Sequence, residues 1–148
     1  MITGCIILDQ ATKLLAQASL PARTLHLLGD TVRLRLSHNT GAFLGLGAGL
    51  PPAWRFWIFT FLSLVMVAGV VTFALTSEEL PHDAIIALAF LAGGGTSNLI
   101  DRLLRGGHVI DFLNFGIGNL RTGILNFADI AITFGALYVI WAAFRAER

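Results

Sequence analysis

Charge is scarce in this chain. Only 13% of its residues are Asp, Glu, Lys or Arg, while 55% are hydrophobic and the mean hydropathy is +0.76. A soluble domain carries roughly 25% charged residues, so the composition excludes an ordinary soluble fold and implies an integral membrane protein. A net charge of +1 gives no basic surface, and no nucleic-acid partner is expected. The single cysteine, Cys5, excludes an internal disulfide and any multi-cysteine metal site, and in its apolar run it reads as a small hydrophobe. His26, His38, His82 and His108 are scattered and show no metal-ligand spacing, so no metal and no cofactor are expected. Ser97 has no histidine with a recognisable partner near it, which leaves nucleophilic serine chemistry unsupplied. The first residues lack a basic stretch and Asp9 soon interrupts the apolar run, so a removable signal peptide is not expected. Low-complexity tracts, linkers and internal repeats are also missing, and 148 residues make one domain, residues 1–148.

What the chain does have is four apolar segments. The first runs from Ile2 to Leu20 and is broken by Asp9 and Lys13, which are four apart and share one face of a helix. Each would be costly in lipid alone and tolerable as a pair. The second segment, Trp54 to about Thr76, opens on Trp54, Arg55 and Trp57, as an interfacial anchor does, and is free of charge from Phe56 to Leu75. The third runs from Ala84, with Asp83 expected as its N-cap, to about Leu104, and Gly93-Gly94-Gly95 within it permit close helix packing. The fourth runs from about Gly123 to Phe144.

Between them lie two long connections. In the first, Thr31 to His38 alternates polar and apolar residues, the signal of a half-exposed strand. Leu25 and Leu27 suggest a partner strand, with Gly29-Asp30 as the turn. Asn39-Thr40-Gly41-Ala42-Phe43 follows, and Gly41, Gly45, Gly47 and Gly49 form a glycine-rich lip that suits an extended peptide. The second connection, residues 105 to 122, places Asp111 inside the string Val109-Ile110-Asp111-Phe112-Leu113.

With four crossings, the loops after segments one and three emerge on the same side. At about 1.5 Å per residue, Asn98 lies about 20 Å along segment three and Asp129 about 9 Å past the entry of segment four. Asn39, Asn98, Arg102, Asp111, Asn126 and Asp129 therefore converge just inside one membrane face. Ionisable groups there are functional candidates by default. Two aspartates in a low-dielectric cleft share a proton and their pKa values split. One can take a proton from water while the other gives one to a leaving amide nitrogen, so the pair suffices for peptide hydrolysis. Three acids compete for two places. Asp101 stands beside Arg102 and suits a structural ion pair, whereas Asp111 has no adjacent base. The residues thus lean toward Asp111 with Asp129 but leave Asp101 with Asp129 open.

Five motifs in order resemble those of signal peptidase II, the lipoprotein signal peptidase of bacteria. They are Asp9-Gln10-Ala11-Thr12-Lys13, Asn39-Thr40-Gly41-Ala42-Phe43, Gly93-Gly94-Gly95 through Asn98 to Asp101-Arg102, Val109-Ile110-Asp111-Phe112 and Asn126-Phe127-Ala128-Asp129. The resemblance spans nearly the whole chain. It implies an intramembrane aspartyl endopeptidase that removes the signal peptide of a diacylglyceryl-modified prolipoprotein just before the lipidated cysteine. The partners it implies are that lipid-modified signal peptide and membrane lipid. It places the catalytic pair on Asp111 and Asp129. Asn39, Asn98, Arg102 and Asn126 fall on the positions that bind substrate or orient the dyad, and Asp9, Lys13, Gly41 and Asp101 on supporting ones. The fold it implies is all-α, with four transmembrane helices, a small extracytoplasmic β-cradle over residues 24 to 44 and a short extracytoplasmic helix over residues 108 to 122. A monomer in the bacterial inner membrane is expected, its site near the extracytoplasmic face. Charge bias points the other way. Arg23, Arg33, Arg35, Arg55, Arg105 and Arg121 lie on the motif-bearing side against Arg145 and Arg148, which would put the site in the cytoplasm. Ser97 stands where the family commonly has Gly, His38 where Arg is frequent, and the stretch before Asp9 is shorter than usual, so further N-terminal residues are expected. The rival readings are a small polytopic membrane carrier, or a non-catalytic relative that only binds lipoprotein precursors.

Overall fold

The computed structural model describes residues 1–20, 22–41, 47 and 49–146. Its order is α1 (Ile2–Ser19), β1 (Thr24–Leu27), β2 (Val32–Asn39), α2 (Pro52–Thr76), α3 (His82–Leu104), β3 (Val109–Ile117), β4 (Leu120–Arg121) and α4 (Phe127–Ala146). Most of the glycine-rich lip, Ala42 to Leu46 with Gly45, lies outside the described residues, and so does Ala48.

The helices differ in which face they hide. α2 starts on Pro52, where a proline costs no helical hydrogen bond. Its outer surface displays Trp54, Trp57, Phe61 and Leu75, all more than half exposed, which suits lipid and not water. α3 is the reverse. Its buried residues include Ala87, Ala92, Gly93, Gly94, Gly95, Ser97, Asn98, Asp101 and Arg102, small or polar groups facing inward. Among the described residues, three helices are long and apolar enough to cross a membrane: Pro52–Thr76, His82–Leu104 and Phe127–Arg145. α1, with its ionisable pair, is not among them.

The three consecutive glycines make α3 the centre. A Cβ on Gly93 would lie 2.9 Å from Cys5 of α1, one on Gly94 would lie 2.6 Å from the Ala128 carbonyl of α4, and one on Gly95 would lie 2.6 Å from Met66 of α2. Each glycine thus admits a different neighbour. Gly94→Val is expected to cost about 1–3 kcal/mol, as overpacking of a tight contact does. Thermal unfolding in detergent, followed by circular dichroism, checks this.

The four strands form one antiparallel sheet in the order β1-β2-β3-β4. The β1–β2 hairpin matches the sequence reading, with Leu25 opposite Leu34 and a turn through Gly29 and Asp30, both at positive φ. The expected short helix over residues 108 to 122 is not found there; that stretch is β3 and β4. Two causes act together. Gly106 and Gly107, at φ 65° and 90°, end α3 and turn the chain away. Val109-Ile110-Asp111-Phe112-Leu113 is then rich in strand formers, and it covers the open edge of β2, with Asn39 opposite Val109 and Ser37 opposite Asp111. The sheet therefore draws half its strands from the second connection, and the fold is mixed rather than all-α. It is seated on the helices through Ala16 of α1, the C-cap Leu20 that follows it, and Phe112 and Leu113 of β3, flanked by Leu34, Phe127 and Ile130.

Two helix starts also differ from expectation. Pro81, not Asp83, is the N-cap of α3; Asp83 lies inside the first turn and accepts a bond from the Ala84 N–H. α4 begins at Phe127, not near Gly123, because Asn126 caps it.

Candidate active site

Asn126 is where the site begins. Its side-chain Oδ1 accepts the Asp129 N–H at 2.8 Å, and Asp129 Oδ2 accepts the Asn126 N–H at 3.2 Å. This reciprocal pair is a capping box, with Asp in place of the usual Glu at the third helical position. The cap leaves the Asn126 amide nitrogen free to point elsewhere. It donates to Asp111 Oδ1 at 2.7 Å, to Asn98 Oδ1 at 3.2 Å and to the Ile110 carbonyl at 3.3 Å. One buried asparagine therefore touches both candidate acids.

β3 brings Asp111 to this point. Phe112 and Leu113 both donate to the Leu125 carbonyl at 2.8 Å, and Leu125 returns a bond to Leu113, so the strand and the approach to α4 are stitched together. Asn39, at the end of β2, supplies the second donor to Asp111, from Nδ2 to Oδ2 at 3.0 Å. Its own Oδ1 accepts the Gly41 N–H at 3.0 Å, a local turn that fixes which end of the amide faces the acid. Asp129 receives a matching amide from α3, Asn98 Nδ2 to Oδ1 at 2.9 Å.

The Asp111 carboxyl is almost fully buried. Burial, reinforced by the nearby Asp129 charge, pushes its pKa up to about 7, against the pull of the Asn39 and Asn126 hydrogen bonds. A proton is thus available on Asp111 near neutral pH.

Arg102 reaches the same place from α3. Its Nη2 donates to the Gly41 carbonyl at 3.2 Å, while buried Nε and Nη1 have no partner among the described residues. The sequence expectation of an Asp101–Arg102 pair is not met. Adjacent residues on a helix point about 100° apart, so the two face different neighbours. Asp101 pairs instead with Lys13 at 2.8 Å and Arg105 at 3.1 Å.

Asp9 and Lys13 pair on α1 at 2.6 Å, as their spacing suggests, and both are buried. Lys13 also donates to Asn98 Oδ1 at 3.0 Å. All ten residues singled out from the sequence therefore lie in one connected cluster, linked to the two acids directly or through one or two intervening residues.

A family model described as Signal peptidase (SPase) II matches residues 1–145. The chain belongs to the signal peptidase II family. Among its relatives, the lipoprotein signal peptidases of Paraburkholderia phymatum and Burkholderia mallei are 36% and 35% identical to it over 146 and 143 residues. Each alignment covers 97% of this chain and 84% of the relative. Two solved structures, bacterial membrane enzymes determined by the in meso method at 2.3 and 1.9 Å resolution, match with TM-scores of 0.87 and 0.84 at 23% identity. They cover 99% and 96% of this chain and 86% and 88% of their own, and they speak for the fold.

Seen as a signal peptidase II family member, the chain has site residues that the sequence reading passed over. Ser97 donates from Oγ to Asp9 at 2.7 Å. Gln10 donates from Nε2 to Ser97 Oγ and to Asp101, each at 3.0 Å. Both were visible as polar residues inside apolar runs, Ser97 four before Asp101 and Gln10 three before Lys13. His38 and His108 stack edge to face beside the site, 5.1 Å between ring centres, and burial first, then His38 and Arg105, holds the His108 pKa down. Neither ring bonds to Asp111 or Asp129 among the described residues.

Proposed function

We propose that the chain is an aspartic endopeptidase that removes signal peptides from diacylglyceryl-modified prolipoproteins, cutting just before the lipidated cysteine, with Asp111 and Asp129 as its catalytic pair. The observation that carries this reading is the single asparagine, Asn126, bonded to both acids, with Asn39 and Asn98 each adding one amide donor to one acid. That is a built carboxylate pair in a buried, membrane-adjacent place. In this reading Asp129 takes a proton from water as the water oxygen bonds to the scissile carbonyl carbon. Asp111 gives its proton to the amide nitrogen as the C–N bond breaks. One proton then passes from Asp129 back to Asp111 and restores the pair. Arg102, with two buried donors that have no partner among the described residues, is placed to hold a substrate carbonyl.

The sheet, with the Gly41 end of β2 beside the acids, is the bed on which an extended signal peptide lies. α1 is the fourth crossing, its two ions neutralised within the bundle. One chain supplies both acids and all four amide and guanidinium groups, which supports a monomer. The site faces the extracytoplasmic side of the bacterial inner membrane, where a lipid-modified precursor presents its cleavage point.

Purified chain in detergent with a synthetic diacylated precursor tests the proposal, with cleavage read by gel shift and mass spectrometry. Cleavage on the N-terminal side of the lipidated cysteine is expected. Flux of ions or solutes in vesicles without cleavage would support a carrier, and binding without turnover would support a non-catalytic relative.

The pH profile adds a second expectation. The competent form has a proton on Asp111, and that proton is lost as pH rises through about 7. The specificity constant kcat/KM, which reports the free enzyme, is expected to fall about tenfold per pH unit above that point. A kcat/KM that stays flat to pH 9 would exclude Asp111 as the proton donor.

A further inference from the structure

Behind the proposed catalytic pair lies a second ionic cluster with a pattern of its own. Asp9 Oδ1 accepts the N–H of Ala128 at 2.9 Å, and Ala128 immediately precedes Asp129. Asp101 Oδ2 accepts the N–H of Ile110 at 3.1 Å, and Ile110 immediately precedes Asp111. Each supporting aspartate thus grips the backbone one residue before one candidate acid. Lys13, fully buried, joins the two grips, at 2.6 Å from Asp9 and 2.8 Å from Asp101. Its third bond goes to Asn98 Oδ1, which also accepts the Asn126 amide. An amide oxygen facing two donors cannot be exchanged for an NH2 without leaving donors opposed, so Asn98 must turn its nitrogen to Asp129.

We infer that Lys13 is a positioning residue of the peptidase: through Asp9 and Asp101 it sets the spacing of the backbone segments that carry Asp129 and Asp111, and through Asn98 it orients the amide that bonds Asp129. This rests on the reading of Asp111 and Asp129 as the catalytic pair. The α1 motif then has a definite task. Its acid and base are spaced to tie α4 and β3 to one point on α1. Ser97 and Gln10 complete the carboxylate coordination, and Arg105 balances the second negative charge from outside. Burial of two carboxylates with one ammonium and one guanidinium is costly unless every lone pair is used, and here both oxygens of each acid are bonded.

Lys13→Met alone leaves two buried carboxylates facing each other and is a poor test. The double variant Lys13→Met/Asp9→Asn removes one charge of each sign and keeps an acceptor for the Ala128 N–H. It is expected to fold in detergent and to retain KM for a diacylated precursor within about threefold, while kcat falls about 100-fold, the loss expected of a displaced catalytic group. The alkaline limb of the kcat/KM profile should also move upward, because the Lys13 charge favours the ionised form of Asp111. A lysine whose charge does not reach the pair would leave that limb in place. A folded double variant with wild-type kcat and pH profile overturns the inference. If the double variant fails to fold, Gln10→Leu decides. It leaves the ion pairs intact but strips a donor from Asp101 and from Ser97, and about a fivefold fall in kcat at constant KM is expected. Unchanged kcat in folded Gln10→Leu overturns the inference. Asp111→Asn and Asp129→Asn, run in parallel, separate the two readings. Activity in either sinks the catalytic pair itself, whereas their inactivity beside a fully active Lys13 variant sinks only the role of Lys13.

Discussion

Asp111→Asn and Asp129→Asn are each expected to lower cleavage of a diacylated precursor by about 10³-fold, the loss of one positioned proton-transfer group. Asn is nearly the shape of Asp but can neither hold the transferable proton nor accept one from water. The structural penalties differ between the two. At position 111, Asn39 and Asn126 both donate to the carboxylate, so an amide there must turn one NH2 group toward a donor. At position 129, the amide must accept from the Asn98 side chain and the Asn126 N–H at once, and one of those bonds is lost. An opposed or orphaned buried donor costs about 1–3 kcal/mol, so both variants are expected to melt earlier than the parent but remain folded in membranes. The measurement is single-turnover cleavage alongside a melting curve, so that lost chemistry is separated from lost protein. Full processing by either folded variant would remove that residue from the pair.

How much of this was legible beforehand depends on the range of the interaction. The three clear spans follow from local hydropathy and were placed within a few residues. The β1–β2 hairpin followed from alternation and the Gly29-Asp30 turn. Val109 to Leu113 was not legible as a strand. An unbroken apolar string with one acid has no period, and what makes it β3 is the open edge of β2, more than 70 residues earlier. The capping box of Asn126 and Asp129 was in principle readable, because an acceptor three residues before an acid ahead of an apolar run is its signature. The Asp101–Arg102 pairing fails for a simple reason: adjacency in sequence is not contact, and the true partner, Lys13, lies 88 residues away on another helix and is placed by the glycine-mediated approach of α3 to α1. The polar membership of the site was therefore readable, but the bonds among its members were not.

That failure bears on Asp101→Asn, the other large effect expected. Both Asp101 oxygens are used, one by Lys13 and the Ile110 N–H, the other by Arg105 and Gln10. Removing the charge leaves the Lys13 ammonium with one carboxylate and takes from Arg105 its acid. Breaking a buried ion pair in this way costs about 3–5 kcal/mol, and the one oxygen left must serve either the Ile110 N–H, the tie of β3 to α3, or Gln10 and Arg105, not both. A pronounced drop in melting temperature and reduced accumulation in membranes are expected. Activity per folded molecule is a different matter. Asp101 bonds to no atom of Asp111 or Asp129, so the proton-transfer groups themselves are untouched. The remaining rate is set by how far β3 drifts, and a loss within about 100-fold is expected, well above the background left by Asp111→Asn. The contrast discriminates between the two pairs that the sequence leaves open. A stable, fully folded but inactive Asp101→Asn, beside an active Asp111→Asn, would transfer the proton-donor role to Asp101. An unstable variant whose folded fraction still cuts the precursor would leave Asp101 as the anchor of the strand that carries the acid.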